Sequence, residues 1–167
     1  MMRNVCKIFV LTSMMISSTF VGCGKSDGRS VKLVPVQGTV KLDGKPVGGV
    51  SIFFNPLPNT RGTGAYAITR DDGSYQLTHA SASQKPGVEE GNYGVTFSKV
   101  TQRDGSPIPP DKTRAGVATV EKMPKIYTKF DATRVVEGAI VKADTSTLNF
   151  ELDSKKKLKT GGAGAPQ

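Results

Sequence analysis

His79 is the only histidine in this 167-residue chain, so acid–base or metal chemistry would have to begin there. A catalytic triad needs an imidazole between a nucleophile and an orienting acid, and a zinc site needs several nitrogen or sulfur donors. His79 closes a strand-like run over residues 74–79, which predicts a solvent-facing ring without a reaction partner. The adjacent acids Asp71 and Asp72 could offer hard oxygens to Ca²⁺, but they stand together before Gly73 instead of at alternating loop positions. An Asx-type turn is the better account of them. Glu89 and Glu90 precede Gly91 in the same way, and glycoside chemistry would need such acids across a cleft. Tyr66, Tyr75, Tyr93 and Tyr127 alternate with polar residues, which favours packing at the core or its edge; the alternative is a ligand-facing, sugar-stacking set. No catalytic residue, metal ligand or cofactor is expected from these patterns.

Cys23 raises a different chemistry. It could be a core thiol, half of a disulfide with Cys6, or a point of cleavage and acylation. Residues 1–7 carry Arg3 and Lys7 and no acid, and residues 8–21 are apolar with Ser and Thr interruptions, ending in small residues around Gly22. That is the order of a secretory signal. About fourteen apolar residues are too few for a helix to cross a ~30 Å hydrocarbon core, which takes roughly 20. Phe20-Val21-Gly22-Cys23 resembles the lipobox of bacterial lipoproteins, with Phe20 where Leu is usual. The resemblance implies cleavage between Gly22 and Cys23 and acyl chains, such as palmitate, on Cys23. Cys6 would then leave with the leader, so no disulfide is expected. Gly24, in place of an inner-membrane-retaining Asp, favours the outer membrane.

The formal net charge is +9. Arg3 and Lys7 belong to the leader, and four lysines cluster in the run KKKLK beginning at Lys155. No aromatic residues interleave with these bases, which argues against stacking on single-stranded nucleic acid. A solvated tail over residues 154–167 is expected, with any contact to anionic polymers incidental.

The elements that would position these groups read as short strands. Val36, Gly38, Val40 and Leu42 alternate with polar residues, and Val50, Ile52 and Phe54 do so again beyond Asp43-Gly44-Lys45-Pro46. Tyr66 and Ile68 lead through Asp71-Asp72-Gly73 to Tyr75 and Leu77, a predicted hairpin. Tyr93, Val95 and Phe97 define another inward face, residues 102–117 read as a long proline-containing surface loop, and residues 139–142 and 147–152 supply the last strands. No window shows a convincing helical period. Nineteen glycines and ten prolines supply the turns that many short strands require. About seven strands predict a single antiparallel Greek-key β-sandwich, Ig-like or transthyretin-like.

The segments "GTVKLDGKPVGGVSIFF", "AITRDDGSYQLT" and "PGVEEGNYGVTFSKV" resemble the carboxypeptidase regulatory-like domain, a transthyretin-like sandwich. With the lipobox in front, and Pro124, Tyr127, Phe150 and Leu152 at matching positions behind, the chain is similar to small lipoproteins of planctomycete-type bacteria. The resemblance spans residues 34–153. It implies a leader (1–22), a lipidated Cys23 on a polar tether (23–33) and a domain with no established catalytic residues. A transthyretin-like hydroxyisourate hydrolase uses several histidines, so that activity is not expected. The expected role is a non-enzymatic, lipid-anchored envelope protein with a structural or binding function, touching the membrane through its anchor. An envelope protein or a polysaccharide would be its partner, the alternative role being a carbohydrate-binding module; nucleic acid would not be one.

Overall fold

In the computed structural model, the described residues are 32–81, 84–109 and 116–157. The proposed leader, Cys23, most of the tether, part of the proline-containing loop and residues 158–167 lie outside them. The described residues form an all-β sandwich, as the alternation predicts, antiparallel except where β1 meets the last strand. β1 (Gln37–Leu42) turns through Asp43 and Gly44, both at positive φ (52° and 77°), into β2 (Lys45–Pro46). Positive φ at both central residues is what a tight two-residue hairpin needs, and Asp-Gly supplies it. β3 (Ser51–Pro56), β4 (Ala65–Ile68) and β5 (Ser74–Gln76) follow, then β6 (Thr78–His79), β7 (Gly91–Ser98), β8 (Val100–Gln102) and β9 (Thr119–Glu121). A single helical turn, α1 (Lys125–Thr128), precedes β10 (Gly138–Val141) and β11 (Phe150–Leu152).

The larger sheet runs β10-β7-β3-β4-β6. The smaller is centred on β1, which pairs in parallel with β11 on one side and antiparallel with β2 and β5. Between them lies one core that includes Val40, Ile52, Phe54, Tyr75, Leu77 and Phe97. Phe150 joins the layers: its ring lies 5.1 Å from Phe97, 6.1 Å from Phe54 and 6.3 Å from Tyr75, centroid to centroid. Gly38 is required by a close approach, because a Cβ there would collide with the Leu148 carbonyl.

Three expectations change. The Asp71-Asp72-Gly73 turn forms, with Arg70 and Ser74 bonded across it at 2.8 Å, but β4 and β5 do not pair. The turn carries the chain from one sheet to the other, and Leu77, whose N–H donates to Val36 O, marks where it crosses back. The predicted 102–117 loop is bracketed by a pairing the alternation did not predict, β8 against β9 in a separate two-stranded ladder that takes in only Gln102 of it. The parity of β4 also matters: the small Ala65 and Ala67 face the core, which turns Tyr66 and Ile68 outward.

Candidate functional site

Two groups of residues carry the chemistry and the exposed apolar surface. The first surrounds His79, which is not solvent-facing as its place at a strand end suggests. It is 6% exposed and Glu89 is 8% exposed. β6 pairs with β4 through Ala65 opposite His79, which turns the imidazole inward toward the segment before β7. There Nε2 lies 2.7 Å from Glu89 Oε1, with Thr63 Oγ1 at 3.3 Å. Nδ1 lies 2.6 Å from Ser81 Oγ and accepts the Ser81 N–H at 3.3 Å, which assigns the neutral-form proton to Nε2 and its donation to Glu89. Glu89 Oε2 has no hydrogen-bond partner among the described residues. Gly62, at φ 128°, backs directly onto this carboxyl group, so any side chain there would meet it.

A carboxylate, an imidazole and a hydroxyl in line are the parts that activate a nucleophile in some hydrolases. Here the acid and the base are both buried, the serine is two residues from the histidine, and Ser81 is further engaged. The arrangement fastens β6 to the segment ahead of β7. Only one acid meets His79, because Glu90 is exposed. Asp71 is exposed too, while Asp72 accepts the Ser74 N–H at 2.9 Å, which closes the Asx turn; the Ser74 side chain first, and this N–H second, hold its carboxyl below the usual aspartate range.

Three of the four tyrosines are placed against a ligand-facing role. Tyr75, Tyr93 and Tyr127 are buried because each occupies an inward position and its hydroxyl finds a backbone partner. Tyr75 donates to Leu148 O at 2.7 Å, Tyr93 to Glu89 O at 2.8 Å and Tyr127 to Asp153 O at 3.1 Å. Burial, joined at Tyr93 by the neighbouring Glu89 charge, pushes the Tyr75 and Tyr93 hydroxyls well above the ordinary tyrosine range, so both remain donors. Only Tyr66 reaches the surface.

Tyr66 belongs to the second group, the outer face of the larger sheet. Register aligns Thr96, Phe53, Tyr66 and Thr78 in one row across β7, β3, β4 and β6. A neighbouring row holds Ser98, Ser51 and Ile68, and another places Asn55 beside Gly94. Phe53 is 44% exposed, Ile68 65% and Ile140 of β10 62%. Phe130 from the segment after α1 lies over Gly94, where a side chain would collide with its ring. A crevice lined by Gly94, Thr96, Phe130 and Arg134 edges the face. Phe53 was legible as an outward residue between Ile52 and Phe54, but its neighbours across the sheet were not. No known family, curated protein or solved structure matches the chain.

Proposed function

We propose that the chain is a lipid-anchored protein of the bacterial cell envelope whose β-sandwich binds or braces and does not catalyse. The observation that carries this reading is the leader: charged residues, a short apolar run and Phe20-Val21-Gly22-Cys23 at its end. The fold supports it in two ways. Among the described residues the first sheet contact is the bridge from Val34 to Val88, so an anchor at Cys23 would have residues 24–33 as its tether, at most about 35 Å at roughly 3.5 Å per extended residue. The side chains best suited to acid–base chemistry, His79 and Glu89, are occupied with each other in the interior. What the molecule presents outward is an ordered sheet face, and we assign binding to it.

Cells fed an alkyne fatty acid should label the wild-type chain and leave Cys23→Ala unlabelled, and the labelled chain should sediment with outer-membrane vesicles. Label persisting in Cys23→Ala would refute the anchor.

A further inference from the structure

The outer face of the larger sheet is uncharged. Its outward positions on β3, β4, β6, β7 and β10 are Ser, Thr, Asn, Gly, Tyr, Phe and Ile, in a chain where 22% of residues are Asp, Glu, Lys or Arg. Charge enters at the border, where Glu121 meets Ser98 and where Lys129, Asp131, Arg134 and Glu137 line the crevice beside Phe130. Thr96 and Thr78 flank Phe53 and Tyr66 in a single row, and the Asn55 amide donates to Gly94 O at 3.2 Å and to Thr96 Oγ1 at 3.4 Å in the adjoining one.

We propose that this face binds an uncharged polysaccharide through the Thr96–Phe53–Tyr66–Thr78 row, an inference that deepens the binding role proposed above. A pyranose ring presents one face of C–H groups, which suits Phe53 and Tyr66, and a rim of hydroxyls, which suits threonine hydroxyls and asparagine amides. A polyanion such as a phosphorylated lipid or an acidic glycan would find no cation on the rows themselves. A second copy of the chain is also disfavoured by area. Five strands at about 4.8 Å spacing and roughly 14 Å of overlapping strand give a projected face of about 300 Å², well below the roughly 800 Å² per partner of a stable protein interface. A linear sugar chain needs only such a strip.

The test uses the full chain in a zwitterionic detergent, which offers no sugar headgroup of its own. Saturation-transfer NMR and calorimetry would be run against neutral gluco-, manno- and xylo-oligosaccharides, with oligogalacturonate as the charged comparison. At least one neutral oligosaccharide should bind saturably and oligogalacturonate should not. Phe53→Ala and Tyr66→Ala should each weaken binding about tenfold. Thr96→Lys, which places a charge in the row, should do the same and serves in place of Phe53→Ala should that variant melt early. The proposal is overturned by no saturable binding of any neutral probe, by preference for oligogalacturonate, or by variants that melt like wild type and bind equally well. It is also overturned if sedimentation shows a dimer that Phe53→Ala dissolves while no sugar binds. None of these outcomes touches the acyl label on Cys23, so failure here is distinguishable from failure of the anchor.

Discussion

His79 and Glu89 join two chain segments that are ten residues apart through groups that water would otherwise solvate. Burying a hydrogen-bonded carboxylate and imidazole is costly, and the pair holds together because removing either partner leaves the other buried without its hydrogen bond. His79→Ala should therefore lose about 3 kcal/mol of stability, because it leaves the Glu89 carboxylate buried with neither oxygen paired. The double variant His79→Leu/Glu89→Met replaces both polar groups with apolar ones and should recover most of that loss. Urea melts of the three chains measure both quantities; a single variant within about 0.5 kcal/mol of wild type would mean that the site is effectively solvated. Sequence could not have located this pair. Its spacing follows no helical or strand period, and a strand-end histidine ordinarily reads as exposed. What was legible at the same scale was the Asp72 turn, because an Asx turn is built from immediate neighbours.

At the scale of elements, the strands written most clearly in the sequence are those with large inward residues on alternate positions. β3 with Ile52 and Phe54, and β7 with Tyr93, Val95 and Phe97, fall where the alternation put them. β4 misleads because alanine is a weak hydrophobic signal, so Tyr66 and Ile68 draw attention to the wrong face. The link between β4 and β5 misleads because turn chemistry specifies a reversal and says nothing about which sheet receives the next strand. α1 is one turn long, shorter than any window in which a helical period shows. The β8–β9 arm was hidden because each strand is three residues long, too short for alternation to register, and it is held by Glu121. That carboxylate accepts from Ser98 Oγ at 2.6 Å and from the N–H groups of Lys99 and Met123 at 2.8 Å. Burial works to raise its pKa, but these hydrogen bonds outweigh burial and the net shift is downward. A pKa lower in the folded state than in the unfolded one stabilises the fold above the unfolded value. The contribution is lost as pH falls through the folded one. The amide shifts of Lys99 and Met123 should accordingly titrate together with a midpoint below the ordinary 4.5, and Glu121→Gln should abolish that titration. A midpoint above 4.5 would contradict the arrangement.

Across the whole molecule, the two phenylalanines Phe150 and Phe53 separate what holds the fold together from what it shows to its surroundings. Phe150 is 6% exposed and lies on the strand that closes the smaller sheet in parallel with β1, with its ring against residues from both layers. Truncating a buried phenylalanine removes its transfer free energy and leaves a cavity, for about 3–5 kcal/mol. That is a large part of the roughly 5–15 kcal/mol that holds a typical domain folded. Phe150→Ala should therefore shift the urea midpoint far downward. Phe53 presents its ring to solvent on the opposite side of β3 from Ile52 and Phe54, so Phe53→Ala should cost less than about 1 kcal/mol. If the outer face is the binding surface, the two substitutions then exchange their effects: Phe53→Ala loses ligand and keeps stability, while Phe150→Ala, assayed at a temperature where enough of it stays folded, keeps affinity per folded molecule. Measuring urea midpoints and sugar affinity on the same preparations decides the matter. Equal destabilisation by both variants would place Phe53 in the structural core of a larger assembly, and the sheet face would then be a covered surface.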